Sequence, residues 1–600
     1  MAGEIKKRSE IDEQFQWCLE DMYETDELWE EEYRKLVSLA DAMKDLDGNL
    51  GKDSKNLLRY FEQYDEMTYY VNRLVVYANE RFHQDTTVAK YQAMAAKADN
   101  ALMIFSSATA FASPEILKIP EDVLKGFLEN EPKLAAYERA LSEQLRKKEH
   151  VLSAAEEALL ANANELKSAP SNIFEMFNNA DIKFPSIRDV EGNRLAVTHG
   201  TFGQLLENSE RSVRKAAYES LYGSFKQWGN TLATTYTSHL RGEKFFAKSR
   251  RYHSTRAMHL DDGNIPESVY DQLIETVHRN LPKMHEYVSL RKRILDVEEL
   301  HTYDLYVPIV ENSEKRYTFE EAKELVLKAV EPMGEEYVKI MREGFENRWI
   351  DVYENTNKRS GAYSWAAYGT HPYVLLNFNG TLDSVFTLAH EMGHAIHSYY
   401  SNRTQPITYS DYLIFVAEVA STCNENLLMQ YLLMTTADVK ERRYLINHYL
   451  EGFRATVFRQ CLFAEFEKIV HEKIWNDEAL TLTELNEIYG QLIEQYYGPD
   501  LTIDDETRHE WMRIPHFYTS FYVYQYATGY SAATAFAKLI LEGGQEAATR
   551  YIHHFLCGGC AKDPIELLRE AGVDLSTPQP VESALKVFGD YLQLFKKELK

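Results

Sequence analysis

Five consecutive residues, His390-Glu391-Met392-Gly393-His394, combine two imidazoles with a carboxylate at a spacing that suits metal chemistry. Residues four apart on an α-helix lie one turn above each other on the same face. Two histidines so placed can close on one Zn²⁺, and the glutamate beside the first can take a proton from a metal-bound water. The chemistry is metal-assisted hydrolysis, usually of a peptide bond. In a chain with 19 histidines among 600 residues, chance supplies such a pentapeptide only on the order of 0.05 times.

A third ligand must come from elsewhere. His397 lies near the same face, but seven residues of helix span roughly 10.5 Å, whereas Zn–N bonds are about 2.0–2.1 Å. Three ligands on one straight helix cannot converge, so His397 is expected either to support a ligand histidine or to pack in the core. Glu418 is the better candidate. It sits in the apolar run Leu413-Ile414-Phe415-Val416-Ala417-Glu418-Val419-Ala420, where a carboxylate is costly unless paired or metal-bound. Glu425, seven positions on, is placed either to accept a hydrogen bond from a ligand histidine or to lie solvated on the helix surface.

The elements that must position these groups are legible around them. Gly380 ends a strand-like run, Thr381 or Asp383 can cap a new helix, and Val385, Leu388, Ala389, Met392, Ile396 and Tyr399 recur at helical spacing. Gly393 is a poor helix former, which makes sense where another backbone approaches closely. The polar run 401–406 ends this helix, and a second begins near Tyr412. Ahead of the motif, Pro372–Gly380 is rich in β-formers and reads as an edge strand able to pair with an extended peptide, or as an internal strand. Turns around Gly361-Ala362-Tyr363 and Tyr368–His371 flank it. Gly361, Tyr363, His371 and Tyr373 are thus candidate substrate contacts, with a structural role as the alternative for His371. Downstream, His516 to Tyr530 carries a histidine and five tyrosines. Such donors could stabilise a tetrahedral oxyanion, with Tyr518, Tyr522 and Tyr526 one helical turn apart; aromatic core packing is the alternative reading.

Periodicity predicts long helices over 27–46, 54–80, 86–112, 133–166, 207–249, 266–294, 318–345, 382–400, 411–435, 438–475 and 482–497, with a hairpin at 182–198. The fold class is mainly α, with a few short strands next to the motif helix. Only 27 Gly and 16 Pro occur, too few for a β-rich or linker-rich chain.

The motif, together with Phe415-Val416-Ala417-Glu418-Val419-Ala420-Ser421, resembles the thimet oligopeptidase family of zinc metallopeptidases, and within it the oligoendopeptidase F subfamily. The segments Phe15–Tyr23, Arg359–Ser364 and Asp563–Leu568 share the likeness, which covers essentially the whole chain. The resemblance implies zinc ligands His390, His394 and Glu418, one Zn²⁺ ion, Glu391 as general base, and a His–Tyr pair that stabilises the transition state. His516 and Tyr522 match that pair best; the spacing departs slightly from the thimet pattern, which leaves Tyr524 and Tyr530 open, and these two are also candidate substrate contacts. It also implies helical regions enclosing a deep central substrate channel, endopeptidase action on short unfolded peptides, and a division into an N-terminal helical region 1–114, an N-terminal domain 115–200 and a catalytic domain 201–600.

A net charge of −27 argues against nucleic acid or an anionic membrane as partner. The N-terminus has no apolar signal core, no apolar run reaches membrane length, and five cysteines give no disulfide framework. A cytoplasmic protein is expected. Cys557-Gly558-Gly559-Cys560 has neither a second C-x-x-C nor a thioredoxin-like pattern around it, and reads as a glycine-rich loop.

Overall fold

The computed structural model describes residues 5–311 and 315–599. Among them helices dominate, and the seven strands are two or three residues each. Helices Ser54–Gln84, Glu267–Ile294, Leu382–Thr404 and Leu482–Tyr497 fall where the apolar period places them. Three expected long helices are broken. Region 133–166 divides into a 3₁₀ turn Pro132–Tyr137, a helix Glu138–Arg146 and a helix beginning at Ala154, whose start Ser153 caps. Region 318–345 breaks at Pro332 and Gly334, where a missing donor and a φ of 96° stop the ladder. Region 207–249 breaks at Trp228. The hairpin exists but is short: Ile187–Arg188 pairs antiparallel with Arg194–Leu195.

The chain separates into two compact units, each assembled from three segments. Unit 1 holds Met1–Lys148, Lys315–Tyr431 and Phe536–Val573; unit 2 holds Glu149–Glu314, Leu432–Ala535 and Asp574–Lys600. Each unit joins segments far apart in sequence, because helices bury their apolar faces against partners hundreds of residues away.

In unit 1 the N-terminal helices form a core around Trp17, Trp29, Leu57, Phe61 and Leu74 that also takes in Tyr373 and Leu375. Those two residues belong to a three-stranded sheet of order Ile350–Asp351, Tyr373–Leu375, Tyr363–Trp365, parallel then antiparallel. Tyr373–Leu375 is therefore the central strand and not the edge, and Ile350–Asp351 and Tyr363–Trp365 are the two edges. Tyr373 itself is fully buried, which removes its side chain from the candidate substrate contacts. Unit 2 is built almost wholly of helices, among them Arg211–Gln227, Glu267–Ile294 and Leu482–Tyr497. Among the described residues no single helix is long and apolar enough to cross a membrane.

Candidate active site

The motif helix, Leu382–Thr404, starts where Thr381 accepts a hydrogen bond from the Ser384 amide. Val385, Leu388, Ala389, Met392 and Ile396 are buried, and the strand Tyr363–Trp365 packs against this helix. The next long helix, Ile414–Thr435, crosses it at Gly393. A Cβ added there would stand 2.6 Å from the Ser421 Cα and 2.9 Å from the Ala420 carbonyl oxygen. Backbone cannot yield as a flexible side chain can, so only glycine lets the two helices close. That closure delivers Glu418 to the histidines.

The convergence is tight. Glu418 Oε2 lies 3.3 Å from His390 Nε2 and 3.5 Å from His394 Nε2, and the two imidazole nitrogens are 3.2 Å apart. Bonds of about 2.0–2.1 Å to one tetrahedral ion require ligand atoms about 3.3 Å apart. All three edges match that value, so the donor set fits a small tetrahedral cation. The electrostatics agree. Burial would raise the Glu418 carboxyl, but the two facing imidazoles outweigh it and hold the group well below the usual carboxylate range. Burial likewise opposes charge on His390, yet Glu418 and Glu425 override it and favour a cation there. Glu425 Oε1 meets His390 Nδ1, which orients the ring with Nε2 toward the other ligands. Glu391 is buried beside His390, and desolvation pushes its carboxyl up.

Other sequence candidates land differently. His397 is 1 % exposed, stacks on Tyr412 at 3.7 Å, and burial lowers it to about 3. It bonds no ligand histidine, and its Nδ1 has no partner, so it is a packed core histidine. His371 lies flat on Trp349 and uses both ring nitrogens, on the Pro372 carbonyl and on Asp21. With no polar atom left over, it is structural and not a substrate contact. Gly361 is exposed, with φ at 85°. It lines a cavity of about 210 Å³ together with Ala362, Asn377, Asn379, Asp383 and Thr387; Thr387 lies one turn before Glu391. The Cys557–Cys560 loop clasps the segment after the motif helix. The Cys560 amide donates to the Tyr409 carbonyl, and a Cβ on Gly559 would meet that oxygen at 1.9 Å.

In unit 2 the tyrosine-rich segment is not one helix. A 3₁₀ turn Pro515–Tyr518 and a tight bend precede a helix that begins at Tyr524. The bend brings His516, Tyr522 and Tyr526 together, with ring centroids 6.4, 6.0 and 5.5 Å apart. Tyr518 instead stacks on Phe174. Tyr524 is buried against Tyr270, so its side chain is not a substrate contact, and half-buried Tyr530 packs edge-on to Phe453. Sequence reasoning missed what holds the bend. Phe521 is left-handed, with φ at 56°, rare outside glycine. Its amide donates to Glu467 Oε1 at 3.0 Å, and the neighbouring Ser520 hydroxyl meets His239 Nε2 at 3.0 Å. Glu467 is fully buried, but Glu465 and Lys468 stand beside it in a charged helix, so no local pattern singles it out.

A metal-fitting triad with a buried carboxylate beside it, carried on a largely helical frame, defines a metallopeptidase. Comparison with known proteins agrees. The family model for peptidase family M3 matches residues 204–587, and that for oligopeptidase F matches 115–184. The chain is 46 % identical to oligopeptidase PepF of Bacillus subtilis (strain 168), covering 98 % of this chain and 88 % of that protein. It is 41 % identical to the oligoendopeptidase F homolog of Lactococcus lactis subsp. lactis (strain IL1403), covering 99 % and 98 %. The crystal structure of oligoendopeptidase-F from Enterococcus faecium superposes with a TM-score of 0.75 at 38 % identity, covering 96 % and 99 %. The chain belongs to peptidase family M3, a metallopeptidase family.

Proposed function

We propose that this metallopeptidase is a zinc-dependent endopeptidase that cleaves internal bonds of short, unfolded peptides. The observation that carries the reading is the set of tetrahedral edges among His390, His394 and Glu418, beside a buried Glu391. These three residues would hold one Zn²⁺, with Glu425 orienting His390. When bound, zinc supplies Lewis acidity to the scissile carbonyl and to the attacking water. Glu391 accepts the proton of that water and passes it to the leaving amine. His516 and Tyr522 are assigned to donate hydrogen bonds to the oxyanion, with Tyr530 as the other candidate donor. The edge strand Tyr363–Trp365 is suited to pair with an extended peptide backbone, and the cavity at Gly361 to receive one of its side chains. The relatives named oligopeptidase support short peptides as substrates. Five free cysteines suit a reducing, cytoplasmic setting.

The test uses a quenched-fluorescent oligopeptide blocked at both ends, with metal analysis of the same preparation. Internal cleavage, one zinc per chain, loss of activity with chelator, and a Glu391→Gln variant that keeps zinc without cleaving are expected. A requirement for a free terminus would make the enzyme an exopeptidase. Undiminished activity of Glu391→Gln would remove that residue as base.

A further inference from the structure

Within unit 1 the helix that carries Glu418 meets the motif helix in antiparallel order. Glu418 faces His394 and His390, the Ser421 backbone lies against Gly393, Asn424 reaches Ala389, and Glu425 reaches His390. The steric contact at Gly393 limits how closely the two helices approach, but it does not stop one from sliding or rotating on the other. A hydrogen bond does, because it weakens steeply away from its preferred angle. The Asn424 Nδ2 donates to the Ala389 carbonyl at 3.2 Å, and it is the side-chain bond from this helix to the motif helix that involves no ligand or base. Ala389 immediately precedes the ligand His390, and Asn424 immediately precedes Glu425, which orients that ligand.

The backbone does not need this bond. Inside the motif helix the Ala389 carbonyl accepts from the amide four residues on, so Asn424 adds a second donor to an oxygen with two lone pairs. A carbonyl can only accept, so the amide must turn its nitrogen to Ala389 and its oxygen the other way. Tyr337 meets that oxygen: its hydroxyl donates to Asn424 Oδ1 at 2.9 Å. Ala389, Asn424 and Tyr337 are all buried. Tyr337 stands on the helix Glu335–Glu346, which packs on the motif helix as well. A Cβ added at Gly344 would stand 2.8 Å from Met392 Cε, and the Tyr337 and Tyr400 rings are 6.5 Å apart. Asn424 is thus fixed from both sides by elements that already hold the motif helix.

We propose that Asn424, held by Tyr337, is a positioning residue for the metal ligands: its bond to the Ala389 carbonyl sets the register in which Glu418 meets His390 and His394 and in which Glu425 meets His390. Asn424 acts only through those residues. That the triad holds zinc for peptide cleavage rests on the function proposed above.

The test uses the full-length protein loaded with zinc and, separately, with Co²⁺, whose visible absorption reports ligand geometry. Asn424→Leu keeps the volume and removes the donor. It is expected to weaken zinc binding about tenfold in chelator competition, to shift the cobalt bands, and to lower kcat about tenfold with KM unchanged. It also strands the Tyr337 hydroxyl and so lowers stability in urea. The double variant Tyr337→Phe/Asn424→Leu removes both polar groups, which restores most of that stability. Its zinc affinity, cobalt spectrum and kcat are nevertheless expected to stay as in the single variant. A wild-type zinc affinity and cobalt spectrum in Asn424→Leu would overturn the proposal, as would their recovery along with stability in the double variant. A wild type that binds zinc but cleaves no peptide refutes the endopeptidase reading alone, and the metal measurements still decide the role of Asn424. If the wild type binds no metal, crystal structures of the wild type and Asn424→Leu decide it: a changed Glu418–His394 separation supports the positioning role, and an unchanged one overturns it.

Discussion

The motif helix of unit 1 and the Pro515–Tyr530 segment of unit 2 both carry chemistry-bearing side chains, but they are held by opposite means. In the first, helical geometry sets the separation of His390 and His394, and one close crossing at Gly393 brings in Glu418. In the second, a backbone bend with Phe521 in a left-handed conformation gathers His516, Tyr522 and Tyr526, and buried groups distant in sequence clamp that bend. A site on a regular element needs few outside supports. A site on an irregular one needs buried polar partners, which become its points of failure.

The largest expected effect lies at the helix crossing. Gly393→Ala places a methyl group against backbone, where overpacking costs about 1–3 kcal/mol or more, and the shift withdraws Glu418. Activity is expected to fall by at least about 100-fold with loss of bound metal, read by metal analysis alongside thermal unfolding. An active, metal-replete Gly393→Ala protein would show that the crossing is not what sets the ligand triad.

Next comes the clamp in the second region. Glu467→Leu leaves the Phe521 amide without its acceptor, a cost of about 1–3 kcal/mol, whereas Glu467→Gln keeps an acceptor oxygen and is expected to be nearly neutral. Urea unfolding measures the stability, and kcat should drop in the leucine variant while metal content stays constant. Similar behaviour of the two variants would mean the hydrogen bond does not hold the bend.

Buried histidines support both regions, which allows a direct comparison by pH. Burial lowers His83, bonded to Tyr363 of the edge strand, and His239, bonded to Ser520, to about 4 each. The unfolded chain binds a proton near 6.5, so between about 6.5 and 4 it holds protons that the folded chain refuses. Stability is therefore full above 6.5 and lost as pH falls through this window, by about 3 kcal/mol for each histidine. His83→Gln and His239→Gln should each flatten the stability–pH curve measured by urea titration. An unchanged curve would mean that these rings do not set the acid limit.

The smallest stability effect is expected at Glu425. Glu425→Gln keeps the shape but weakens the orientation of His390, and metal affinity should fall by about 10–100-fold with little change in folding. Chelator competition reads this directly; unaltered affinity would remove Glu425 from the support of the metal ligand.

How much of this could be read from the chain depends on range. His390, His394 and their helix follow from local spacing, and Gly393 signals a close backbone approach because glycine inside a helix is otherwise unfavourable. Glu418 stands out as a charge among apolar residues. The helix breaks at Pro332 and Gly334 were written in residue types but lost within a longer apolar period. The strand order was not legible, because Tyr373–Leu375 becomes central only when Ile350–Asp351 and Tyr363–Trp365 flank it.

By itself the sequence determined the helical class and the two histidines at metal-binding spacing with a glutamate between them, since a period of 3.6 residues and a four-residue spacing act within a few turns. Only the tertiary structure decided that His397 packs against Tyr412, that His371 spends both nitrogens on Asp21 and a carbonyl, and that Tyr526 joins His516 and Tyr522. These arrangements join residues tens to hundreds of positions apart, and what fixes them is which apolar faces pack and which buried polar atoms then find partners, a sum over the whole chain that no local pattern contains.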